Sequence, residues 1–167
     1  SVGKTTLVNA LKELEQFKGY KFATERSQHL MSLGIPLNTD STLKGQTVFL
    51  AERCGELMYD DIITDRTILD VMAFTLNAKS IPHQDKDAFE VYASEFIREY
   101  DYIFYISPHG IEIEDNGIRE TDEHYRDLID FTITTLIKRH GHKAGKIEKI
   151  SGSTEERIQQ ILNITSL

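Results

Sequence analysis

The sequence predicts an α/β fold with a parallel sheet. Three observations carry this. The chain opens on Ser1-Val2-Gly3-Lys4-Thr5-Thr6-Leu7, where Gly-Lys-Thr leads straight into a helical apolar pattern at Leu7, Val8, Leu11 and Leu14. Short apolar runs then alternate with helix patterns. The runs also end on residues able to meet a ligand, at the edge where parallel strands gather their C-terminal ends.

Gly3-Lys4-Thr5 reads as the back half of a phosphate-binding P-loop, G-x-x-x-x-G-K-[ST]. Gly3 lacks a Cβ, so its backbone can turn left-handed and approach phosphate closely. The amides of Gly3, Lys4 and Thr5 open a helix, and a helix N-terminus favours anions. Lys4 is expected at the β- and γ-phosphates, with Thr6 beside it, and the Thr5 hydroxyl is expected on Mg²⁺. The motif needs an earlier glycine and a strand to feed it. The sequence is therefore read as cut at its N-terminus, lacking about ten mostly apolar residues. Without that first strand the sheet would have a central gap of about 9–10 Å, two strand spacings. The 167 residues by themselves are then expected to fold poorly or to be inactive.

Helix one is predicted from Lys4 to Phe17, stopping near Gly19. Residues 20–25 form a strand ending on Glu25, and 26–40 form a loop broken by Gly34 and Pro36. Asp40 or Ser41 caps a helix over 42–59, with Val48, Phe49, Cys54 and Leu57 inward. A second strand, 61–65, ends on Asp65 and is followed by Arg66 and a helix over 67–77. After a loop at 81–84, a helix runs to Tyr100. The clearest strand is 101–108, apolar enough to be covered on both faces. A polar, acidic stretch at 109–119 precedes a helix over 121–140. A strand at 146–150, a turn at Gly152-Ser153 and a helix over 154–163 complete a single domain.

Composition narrows the class. Apolar residues are 40% and charged residues 28%, the mix of an ordinary globular protein. No run has the apolar length of a membrane span. The net charge of −8 argues against a polynucleotide partner. The lone Cys54 cannot form an internal disulfide and fits a cytoplasmic location, with core packing as its role. His140 and His142 flank Gly141 at a helix end, where a cation suits the dipole rather than a metal site.

Four segments also carry a resemblance: Ser1–Thr6, Ala23-Thr24-Glu25-Arg26-Ser27, Thr64-Asp65-Arg66-Thr67 and Asp115-Asn116-Gly117-Ile118-Arg119. Together they resemble the P-loop small-molecule kinases. The likeness is greatest to the AAA-type family that includes the nicotinamide riboside kinase domain of the bacterial NAD regulator. Deoxynucleoside and thymidylate kinases are more distant. The resemblance implies a three-layer P-loop NTPase sandwich with strand order 2-3-1-4-5, lacking strand one, and a lid at about 109–126. It implies ATP and Mg²⁺ as cofactors and a small nucleoside- or nucleotide-like acceptor as partner. A second copy of the chain is a further partner to test.

The resemblance also assigns roles. Asp65 is similar to the acidic residue that helps hold Mg²⁺; its other reading is a cap for the helix at Thr67. Arg66 is similar to an arginine that clamps phosphate, where a planar guanidinium suits spread charge. Glu25 matches the base that takes the acceptor hydroxyl's proton. Arg119 matches a lid arginine, although Asn116 stands where relatives often have a second acid. Arg126, two helical turns on, can share its face. Gln46 is placed to read an acceptor base edge, or is an ordinary exposed glutamine. Ser151 and Gly152 are placed to back the donor base. The expected activity is phosphoryl transfer from ATP. The other class considered is a nucleotide-binding switch with slow hydrolysis.

Overall fold

A computed structural model describes residues 3–24, 27–36, 38–109 and 123–167. Helix α1, Lys4–Lys12, starts on Gly3 at φ 74° and buries Leu7, Val8 and Leu11. It is shorter than the sequence pattern suggests, because Glu15–Phe17 tightens into a 3₁₀ turn. Strand β1, Lys21–Ala23, pairs in parallel with β2, Ile62–Thr64. The stretch predicted as a loop contains helix α2, Ser27–Ser32, and a 3₁₀ turn at Asn38–Asp40. Leu30 explains the helix: it is 1% exposed, and burying it rewards local winding ahead of the breakers Gly34 and Pro36.

Helix α3, Leu43–Glu56, is capped by Thr42, whose side chain accepts from the Gly45 amide at 3.0 Å, and not by Asp40 or Ser41. Its buried stripe is Gln46, Leu50 and Arg53; Phe49, Cys54 and Leu57 are only partly buried. Helix α4, Ile68–Leu76, carries a capping box between Thr67 and Asp70. It buries Ile68, Leu69, Val71, Met72, Ala73 and Thr75 and packs against α3, α5 and α6. Helix α5, His83–Ser94, begins two residues earlier than expected, because Pro82 fits the position before a first turn.

Strand β3, Tyr102–Tyr105, pairs in parallel with β4, Lys146–Lys149. Helix α6 spans Glu123–His140 and α7 spans Thr154–Thr165. The strands separate two apolar cores. One gathers α4, α5 and α6 around Met72, Ile97 and Leu136. The other gathers α1 and α7 around Leu7, Leu11, Ile150 and Ile161.

The four strands form two sheets, β1–β2 and β3–β4, with no ladder between β2 and β3 among the described residues. A cavity of about 650 Å³ opens there, walled by Ile62–Thr64, Tyr102–Tyr105 and the apolar side of α1. This corrects the expectation for β3. Only Ile103 is buried and Tyr102 is 41% exposed, because one edge of the strand borders the cavity.

Candidate active site

The helix start at Gly3 and the end of β2 meet. Thr5 Oγ1 donates to Asp65 Oδ2 at 3.1 Å. Asp65 is 6% exposed, and its Oδ1 is buried with no hydrogen-bond partner among the described residues. A buried carboxylate oxygen without a partner costs free energy, so this geometry suits a group that brings its own positive charge. The helix cap is Thr67, which leaves Asp65 out of that role.

Arg66 turns back along α4. Its Nη1 lies 4.0 Å from Asp70 Oδ1 and its guanidinium stands 5.5 Å from the Phe74 ring centroid. That ring and the carboxylate hold the guanidinium at the cavity wall. Lys4, Gln46, Asp65, Arg66 and Arg126 all line the same cavity. Gln46 is 3% exposed and so is not a surface glutamine. Arg126 Nε lies 3.9 Å from Asp127 on α6. Thr6 is exposed on the first turn of α1. Glu25 and Arg119, and with them most of the lid at 109–126, lie outside the described residues.

Ser151 and Gly152 are exposed at the end of β4 and do not line the cavity. The Ser151 amide donates to Gln160 Oε1 at 3.2 Å, and its carbonyl accepts from Gln160 Nε2 at 2.7 Å. Gly152 has φ 96°, and a Cβ there would collide with the Glu156 carboxylate. That carboxylate accepts from the Ser153 amide at 3.0 Å, which closes the cap of α7. The backbone of this turn is therefore shaped by α7.

Two groups escaped sequence reasoning. Arg53 is 3% exposed, pairs with Glu56 at 2.7 Å and lines the cavity two turns after Gln46. The seven-residue spacing from Gln46 was the available signal. At the end of β3, the Tyr105 hydroxyl donates to Asp130 Oδ1, and His109 Nε2 lies 3.7 Å from Asp130 Oδ2. Burial pushes the Tyr105 phenol up to about 12, and the hydrogen bond and charge of Asp130 add to the rise. The group ties β3 to α6, and only contact in space, not spacing, reveals it. Among the described residues no three His, Cys, Asp or Glu side chains cluster as a metal site.

Residues 1–157 match the AAA domain family. The chain belongs to the AAA domain family. No curated protein matches this AAA domain. Among solved structures it is similar to deoxyadenosine kinase from M. mycoides with the products dCMP and a flexible dCDP bound. The TM-score is 0.65 at 16% identity, over 99% of this chain and 95% of that one. It is also similar to the same kinase with bound dCTP, with a TM-score of 0.63 at 17% identity and the same coverage. The likeness shows that this chain shares the fold of that protein, with parallel strands between helices.

Proposed function

We propose that this AAA domain transfers a phosphoryl group from ATP to a small nucleoside- or nucleotide-like acceptor. The observation that carries it is the Thr5–Asp65 hydrogen bond. It brings a P-loop hydroxyl and a strand-end carboxylate to one point, beside a cavity that holds a buried glutamine and arginines. Those two oxygens are hard donors and fit Mg²⁺. When held there by Thr5 and Asp65, the ion would supply positive charge to offset that of the phosphates. Lys4 holds the donor phosphates, and Arg66 and Arg126 steady the transferring group. Glu25 takes the acceptor hydroxyl's proton as that oxygen bonds to the γ-phosphorus and the bond to the β-phosphate oxygen breaks, releasing ADP. Arg119 closes from the lid. Gln46 faces the acceptor base, and the Ser151-Gly152 turn faces the donor base.

The space between β2 and β3 has the apolar walls of a strand position, so a parallel strand there would complete the order 2-3-1-4-5. The free, half-buried Cys54 fits a reducing cytosol.

The test is ADP release by the full chain with ATP and a panel of acceptors. The panel holds deoxynucleosides, deoxynucleoside monophosphates and nicotinamide riboside. Release that needs one acceptor class supports the kinase and names its substrate. Release indifferent to every acceptor would favour a slow-hydrolysing switch.

A further inference from the structure

The turn after β4 already holds a group with the hydrogen-bonding pattern of a base. Gln160 lies on the second turn of α7 and reaches back nine positions to Ser151. Its Oε1 accepts from the Ser151 amide at 3.2 Å, and its Nε2 donates to the Ser151 carbonyl at 2.7 Å. Nε2 also donates to the Glu156 carbonyl, one turn back on the helix, at 3.1 Å. A donor and an acceptor side by side, joined through one carbon, are what a side-chain amide shares with the pairing edge of adenine. We infer that Gln160 occupies the place of the donor's base on the Ser151 backbone and is displaced when the base binds. The inference rests on the reading of the Ser151-Gly152 turn as the donor-base site.

The clasp is exposed, so water alone could satisfy both Ser151 groups. A long side chain ordered there gives up rotamer freedom for bonds that water also offers, and its hold is weak. Helix α7 does not depend on it. The helix start is closed by the Ser153–Glu156 capping box, and its inner side is anchored by buried Ile161. The turn follows the C-terminal end of β4, on the edge where parallel sheets bind ligands. Helix α7 packs on α1, whose start carries Gly3 and Lys4. Adenine N1 would accept from the Ser151 amide, and the N6 amino group would donate to the Ser151 carbonyl, two hydrogen bonds exchanged for two. Gln160 thereby sets donor affinity by competing with the base.

The test is NMR of the ¹⁵N-labelled full chain titrated with ADP and with inorganic tripolyphosphate. Calorimetric affinities for both ligands are measured in wild type, Q160A and Q160M. ADP should shift the Ser151 amide and return the Gln160 side-chain NH₂ signals to those of a solvated amide. Tripolyphosphate should move neither. Removing the competitor should tighten ADP about three- to tenfold, the scale of a neutral hydrogen bond, and leave tripolyphosphate unchanged. ADP no tighter in either variant overturns the inference. ADP weaker in both would make Gln160 a brace for the turn and overturns it too. So does an ADP complex in which Ser151 shifts while the Gln160 signals stay in place. Bound ADP that moves neither signal takes the base away from this turn, and the inference falls with that reading. Wild type that binds neither ligand removes the phosphate site as well.

Discussion

Thr5 and Asp65 lie sixty positions apart and share a hydrogen bond of 3.1 Å, with Asp65 Oδ1 buried beside it. A hydroxyl and a carboxylate brought together in this way act as a unit. Either D65N or T5A should lower turnover by about 10²–10³, on the scale of a lost charge-stabilising group. The double variant should be little worse than the stronger single, because coupled residues are not additive. Steady-state rates at several Mg²⁺ concentrations check this. Fully additive losses would separate the two residues.

Glu25 and Gln46 should divide the acceptor between them. E25Q should cost about 10²–10⁴ with an acceptor that presents a hydroxyl and far less with one that presents a phosphate. Q46A should raise the acceptor KM by about tenfold and leave the donor KM alone, since a buried amide facing a base edge acts through binding. Equal, small losses for E25Q with both acceptor classes would remove Glu25 from the base role.

Much of this was legible in the chain and some was not. Gly3-Lys4-Thr5 and the strand ending at Asp65 could be read because their chemistry is local and fixed by residue type. Four strands and most helices could be read because periodicity reports burial. Helix α2 was missed because six residues just ahead of Gly34 and Pro36 carry too little periodicity. The inward face of α3 was misjudged because Gln46 and Arg53 are polar yet buried, and burial of polar groups is decided by tertiary contact. Arg157 was missed for the same reason: it is polar yet buried.

Gly145 stands just before β4, hard against the backbone of Asp101. Its amide donates to Tyr100 O at 2.9 Å, and an added Cβ would stand 2.4 Å from Asp101 O. The obstacle is backbone and cannot rotate away. G145A should destabilise the fold by about 1–3 kcal/mol, the usual range for overpacking. A lower urea midpoint at unchanged slope is the expected result.

Alkali should loosen β3 from α6. Tyr105 is favoured as the neutral phenol, with its ionisation raised from 10.0 to about 12 by burial first and Asp130 second. A raised value means the stabilisation is complete below the ordinary tyrosine value and drains away as pH rises through about 12. Tyr100 shifts the same way by burial, while its oxygen accepts from the Ile68 amide at 3.2 Å. Tyrosinate absorbance should therefore rise late and together with loss of helix. In Y105F the part due to Tyr105 should vanish.

The segment entered directly after Asp65 and Arg66 has almost no side that water reaches. Helix α4 is gripped by three neighbouring helices, and its first amide is pinned by the Tyr100 hydroxyl. The carboxylate's aim is thus inherited from the bulk of the molecule instead of being set by its own turn. Trimming a side chain as remote as Met72 would detune the chemistry while the protein still stands.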